Sequence, residues 1–274
     1  MLRTFAALSL LLLGACTTAA PPSGFLSSYE GLKARENPLR TVVSEGRDAQ
    51  ALRAVRTAAI EPTTFVASSE LAWMTEGERA LLAREIDAQL CFELSERYFV
   101  TPGGAGAPAA DARVRAAVTA AQPTGRVGSA VSAAAGFFIP GPIGVRAPGT
   151  VGALSVEAEM LSPDGRQLAA LAWSRAATPI GTDAPSLSRI GDALQFAEPF
   201  ADDAAKVMSP PEAVSRQIPQ PDPCAAYGPR IRPEGFLAKV VTGLYVPQAS
   251  GARAGPPPPA QPPPAPQAEP PPQP

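Results

Sequence analysis

Apolar and polar positions alternate with a period of two over residues 111–124. Val114, Ala116, Val118 and Ala120 share one side, and Arg113, Arg115 and Thr119 take the other, which predicts a strand. The same period returns over 150–162, with Val156, Ala158 and Met160 directed inward and Glu157 and Glu159 outward. It returns again over 167–177 with Leu171 and Trp173, and Pro163-Asp164-Gly165 between the two segments predicts a tight hairpin turn. After Thr75 the period lengthens. Leu82, Ile86, Leu90 and Leu94 fall on one helical face to about Arg97, and Thr75 with Glu78 forms the sequence of a capping box. Leu187, Ile190, Leu194, Ala197, Ala201 and Ala204 predict a second helix over about 186–207, kinked or shortened by Pro199. Ala58 to Val66 reads as a strand that Pro62 confines to an edge or a bulge, and Tyr98 to Val100 reads as a short strand. Phe25, Leu26, Tyr29 and Leu32 recur at helical spacing and predict a short amphipathic turn.

The order is strand, helix, four strands, helix. A strand–helix–strand unit followed by an antiparallel meander predicts an α/β (α+β) fold. The expected architecture is a single domain over 25–208. It has a mixed, mostly antiparallel sheet of about five strands with two main helices packed on one face. Residues 209–247 form a proline-rich extension in which Phe236, Val240 and Leu244 mark a short helix. Residues 248–274 are dominated by Pro, Ala and Gln, a composition that buries too little apolar surface to fold and predicts a disordered or polyproline II tail.

The N-terminus changes the picture. Arg3 precedes an apolar run, Phe5 to Leu13, and Gly14-Ala15-Cys16 closes it. This is the layout of a signal peptide over 1–15, too short to span a bilayer. Leu13-Gly14-Ala15-Cys16 resembles the lipobox of bacterial lipoproteins, against an ordinary signal cut near Ala15 or Ala20. That likeness implies acylation of Cys16, palmitate included, with residues 16–24 as a short tether. Thr17, where an aspartate commonly retains lipoproteins in the inner membrane, implies sorting to the periplasmic face of the outer membrane.

Composition mainly excludes. A net charge of −2 gives no electrostatic case for nucleic acid. The chain has no histidine, which removes Ser-His-Asp and Cys-His catalysis and most zinc sites, so no metal, cofactor or enzymatic activity is expected. Of three cysteines, Cys91 and Cys224 remain after Cys16 is modified. In an oxidising compartment they either pair or stay as two separate thiols. Arg113, Arg115, Glu157 and Glu159 form either a charged groove for a partner or ordinary cross-strand pairs on a solvated face, the second being the commoner arrangement. Acid–base catalysis by the two glutamates lacks any cleft signal. Residues 127–145 are uncharged, and glycines and prolines argue against a membrane span. The segment is a buried loop, an apolar partner surface or a bilayer-touching stretch, with Phe137, Phe138 and Ile139 as its decisive residues.

The start Ser23-Gly24-Phe25-Leu26 with Tyr29 and Leu32, the capped helix, and Ser155-Val156-Glu157-Ala158-Glu159 before the Asp164-Gly165 turn resemble one group of proteins. This is a family of uncharacterised Gram-negative lipoproteins carrying a periplasmic domain of unknown function. The likeness covers about Ser23 to Val207. It implies a periplasmic α/β domain and no catalytic residues. The expected role is a non-enzymatic, membrane-anchored interaction or scaffold module with an envelope protein partner. The alternative is a carrier of a small ligand or lipid, with an apolar pocket under the 127–145 loop.

Overall fold

The computed structural model describes residues 21–35, 41–104, 108–126, 128–130, 132, 144–146, 151–178, 180–181 and 183–251. The signal segment, Cys16 and Thr17, the Phe137-Phe138-Ile139 stretch and the chain after residue 251 lie outside the described residues.

The elements run β1 (Lys33–Ala34), β2 (Thr41–Arg47), α1 (Ala49–Leu52), β3 (Thr57–Ile60), β4 (Thr64–Phe65), α2 (Glu76–Ser95), β5 (Phe99–Pro102) and β6 (Ala112–Gln122). They continue with β7 (Gly144–Val145), β8 (Ala153–Leu161), β9 (Gln167–Ala176), β10 (Ile180–Gly181), α3 (Gly191–Val207) and α4 (Pro233–Thr242). Eight strands, not about five, form one mixed sheet in the order β1-β2-β9-β8-β6-β3-β5, with β4 also paired to β6. The pairs among β1, β2, β9, β8 and β6 are antiparallel, and β3 pairs in parallel with both β5 and β6. Helix α2 connects β3 to β5, and α2 and α3 pack on each other and on one face of the sheet.

Helix α2 begins as its sequence requires. The Glu78 N–H donates to Thr75 Oγ1 at 3.2 Å, and the Thr75 N–H donates to Glu78 Oε2 at 2.9 Å. Leu82, Ile86, Leu90 and Leu94 are fully buried, each worth about 1.5–3 kcal/mol of transfer from water. They meet Val156, Ala158 and Met160 of β8, Leu171 and Trp173 of β9, and Phe196 and Phe200 of α3 in one core.

Four local expectations are corrected. The strand over 58–66 is split, because Pro62 has no N–H and the Thr63 N–H donates to Asp87 of α2 at 2.9 Å instead of to a neighbouring strand. Its first part, β3, is interior rather than at an edge. In β6 the register shifts between Val118 and Ala120, so Ala121 and not Ala120 enters the core. Helix α3 starts at Gly191 rather than Ser186. The Ser186 hydroxyl donates to the Tyr245 carbonyl at 2.9 Å and accepts the Ser188 N–H, a local arrangement that competes with helix and leaves Leu187 exposed. Pro199 stays inside α3. It removes one bond to the carbonyl of Gln195, a residue that lines an open cleft.

The extension after Met208 is tied to the helical layer. Cys91 on α2 and Cys224 form a disulfide across 133 residues of sequence. Arg230 makes two bonds to Asp222, and donates to the Phe92 carbonyl at 2.9 Å and Ser95 Oγ at 2.8 Å. Arg232 pairs with Glu85 at 2.6 Å. These contacts explain why α2 buries Glu85, Cys91, Phe92 and Ser95 in addition to its predicted stripe.

Candidate functional site

The outer face of the sheet, opposite the helices, carries the first site. Glu157 and Glu159 alternate with the core residues of β8, as the sequence predicts, yet they are 3% and 0% exposed. Their neighbours in register are small: Ala117 on β6 and Ala172 on β9 flank Glu157, and Ala170 flanks Glu159. Gly46 of β2 pairs with Ala170, and a Cβ there would sit 3.2 Å from Leu32. This strip of small residues is a seat, and residues 23–32 occupy it.

The bonds across the seat are polar. Ser23 donates its N–H to Glu157 Oε1 at 3.1 Å and its hydroxyl to Oε2 at 2.6 Å, and the Tyr29 hydroxyl donates to the same Oε2 at 2.6 Å. That hydroxyl accepts the Gly24 N–H at 2.8 Å. Ser27 donates its N–H and hydroxyl to Glu159, each at 2.9 Å. Gln167 donates to Glu159 at 2.6 Å and to the Ser28 carbonyl at 3.1 Å. Arg115 donates to Glu159 at 2.6 Å and to the Phe25 carbonyl at 3.1 Å, and its guanidinium lies over the Phe25 ring at 4.8 Å. Burial opposes ionisation of Glu159. The bonds from Gln167, Ser27 and Arg115 outweigh it and hold its carboxyl below the usual range.

This clasp corrects two expectations. The glutamates are not on a solvated face. The Phe25-to-Leu32 stretch is not a helical turn but an irregular segment, because its serines and its tyrosine, not its apolar side chains, make the decisive contacts. Arg115 belongs to the cluster, as expected for a cross-strand pair with Glu159. Arg113 does not: it pairs with Glu61 at 3.1 Å on the exposed edge of the cluster. A second buried pair had no sequence signal. Arg146 and Asp192 meet through two bonds of 2.6 and 2.9 Å, almost wholly out of water, and Asp192 also accepts the Gly152 N–H at 2.7 Å. It ties the far end of the 127–145 segment to the first turn of α3.

On the opposite side, α2, α3 and the extension enclose a cleft of about 500 Å³. Glu93 of α2, Glu96 at its C-terminal cap and Glu198 of α3 line it together with Phe236 and Lys239 of α4. Burial pushes the Glu93 carboxyl up, and the negative charges of Asp202, Glu96 and Glu198 add to the rise. Its walls are mostly polar; the apolar pocket expected under the 127–145 loop falls on a segment that lies largely outside the described residues.

Fold and site together define a single-domain α/β protein: one mixed sheet, helices on one face, and its own N-terminal segment clasped to the other. Residues 21–204 match the family model described as Protein of unknown function (DUF3313), and the chain belongs to that family. The matched span covers the clasp, the sheet and most of α3, and ends before the extension. No curated protein matches the chain. Among solved structures the chain is similar to the PelC dodecamer from Paraburkholderia phytofirmans, at 14% identity and a TM-score of 0.37, over 65% of this chain and 99% of that one. A single-substitution variant of that dodecamer gives a TM-score of 0.34 at the same identity and coverage.

Proposed function

We propose that the chain is a lipoprotein anchored through Cys16 to the periplasmic face of the outer membrane, where it acts as a non-enzymatic interaction module. The clasp carries this reading. A segment that starts seven residues after Cys16 is fixed to the sheet by at least six hydrogen bonds, so an anchor at Cys16 would hold the domain in a defined orientation rather than on a loose leash. The same contacts speak against catalysis at Glu157 and Glu159, whose oxygens are engaged by the protein's own donors and covered from solvent. Metabolic labelling with a clickable palmitate analogue tests the anchor. The wild-type chain should be labelled and Cys16→Ser should not, and Thr17→Asp should move the labelled protein to the inner membrane. Equal labelling of Cys16→Ser would refute the anchor.

A further inference from the structure

The described surface includes one apolar stripe. Phe236, Leu237, Val240 and Val241 of α4 are between 59% and 70% exposed. They occupy positions i, i+1, i+4 and i+5, which is one side of a helix. The opposite side is held against the protein. A Cβ on Gly235 would meet Ser250 Oγ at 2.8 Å, the helix ends at Gly243 in the left-handed conformation, and the Tyr245 N–H donates to the Pro185 carbonyl at 2.8 Å. The stripe therefore faces outward, while Gly235 seats the start of the helix against Ser250.

Phe236 also lines the cleft, so the stripe runs into an acidic wall. Among the described residues Glu93, Glu96 and Glu198 close no salt bridge; of the basic residues lining the cleft Arg230 and Arg232 are engaged by Asp222 and Glu85, and Lys239 is outnumbered by the carboxylates Glu93, Glu96 and Glu198. Burial first, and the charges of Asp202, Glu96 and Glu198 after it, raise the Glu93 carboxyl. No group of three carboxylates or cysteines among the described residues is arranged as metal ligands, so the charge is spread along a groove rather than focused on a point. Four apolar side chains fall far short of the roughly 20–30 residues that each side of a standard interface contributes. That argues against a second copy and for a single chain segment. An anionic lipid surface would be repelled by the same glutamates.

We infer that the cleft and the α4 stripe form a docking site for a cationic, amphipathic segment of another protein, its basic residues against Glu93, Glu96 and Glu198 and its apolar residues on Phe236 and Val240. This rests on the interaction-module reading and supplies the chemistry of the partner.

The test uses the full lipidated chain in nonionic detergent and fluorescence anisotropy with labelled Lys–Leu, Lys–Ser and Glu–Leu repeat peptides. The Lys–Leu peptide should bind at least about tenfold tighter than either control, and its affinity should fall as salt is raised. Phe236→Ser with Val240→Ser, and separately Glu93→Gln with Glu198→Gln, should each weaken binding about tenfold while the thermal melt stays in place. Indifference to either pair of substitutions, or equal binding of Glu–Leu, overturns the site. So does a change in sedimentation on Phe236→Ser with Val240→Ser, which would make the stripe a self-contact, or loss of flotation with anionic vesicles, which would make it a lipid contact. Cys16→Ser separates the two levels. Retained peptide binding with lost membrane attachment supports both, membrane attachment that survives the substitution sinks the anchor alone, and absent peptide binding in a labelled chain sinks the docking site alone.

Discussion

Asp87 offers a sharp energetic test, because its substitution is expected to stabilise. Its carboxylate accepts the Thr63 N–H at 2.9 Å, the bond that replaces a strand partner where Pro62 interrupts the sheet. Burial pushes its pKa from 3.8 up to about 6, against the opposing pull of the Thr63 bonds and of Arg84. A group raised on folding contributes stability that is fully present below its unfolded value and is lost as pH climbs through the folded value. At about 1.4 kcal/mol per pH unit, the rise amounts to about 3 kcal/mol lost between about pH 4 and 7, trimmed to about 2 by water that still reaches a half-buried side chain. Asp87→Asn keeps an oxygen for the Thr63 N–H and never ionises. Urea unfolding should therefore show the variant about 2 kcal/mol more stable than wild type near pH 8, and equal to it near pH 4. Taking the difference between variant and wild type removes the clasp, whose Glu159 titrates in the opposite sense: its stability is present above the usual carboxylate range and lost on acidification. A variant less stable than wild type at both pH values would refute the reasoning, by showing that the charged bond to Thr63 outweighs burial.

Other substitutions address the remaining contacts. Tyr29→Phe removes a bond to a buried carboxylate and should cost about 1.5–3 kcal/mol, with hydrogen exchange accelerated across residues 23–29. Unchanged exchange there would mean that Ser23 and Ser27 hold the segment alone. Arg146→Ala leaves Asp192 charged and buried without its partner and should cost about 3–5 kcal/mol in urea unfolding, and a loss below about 1 kcal/mol would show that water replaces the arginine. Paired Cys91→Ser and Cys224→Ser should cost about 2–4 kcal/mol and open residues 209–232 to limited proteolysis, and an unaltered cleavage pattern would place the hold on the extension in Arg230 and Arg232 instead.

The long elements were legible because each buries one face by a regular period. Leu82, Ile86, Leu90 and Leu94 specify α2, and Val156, Ala158 and Met160 specify β8, with little ambiguity. The missing strands had no such period. In β2 only Val43 reaches the core, and β1 and β4 are two residues long, too short for any alternation to show. The bulge at Thr119 is invisible because Ala120 and Ala121 are the same residue type and either could face inward. The clasp escapes hydrophobic patterning for a deeper reason. Hydrophobic patterning assigns the polar side of a strand to water, whereas Glu157 and Glu159 are covered by a segment more than 120 residues away whose contacts are themselves polar. The one usable signal was the company they keep. A solvated strand face is seldom lined by Ala117, Ala170 and Ala172 with Gly46 beside them, and such a strip is space left for another backbone.

The clasped segment 23–32 and the extension after Met208 are thereby sorted to opposite faces of one domain. Glu157 and Glu159 point away from the core that Val156, Ala158 and Met160 build, so the clasped N-terminus and the helices lie on opposite sides of the sheet. From Cys16 to Ser23 the chain spans at most about 25 Å. On the proposed anchoring, the outer face of the sheet is thus kept near the lipid headgroups, while the α2–α3 layer and the extension stand beyond it, on the far side of the sheet and farther by at least a helix diameter of about 10 Å. The stripe on α4 is then clear of the bilayer without any hinge. Reach and recognition become separable quantities. Loosening the clasp at Tyr29 should change how the domain is oriented at the membrane and leave peptide affinity at the cleft unaltered, whereas substitution at Phe236 should do the reverse.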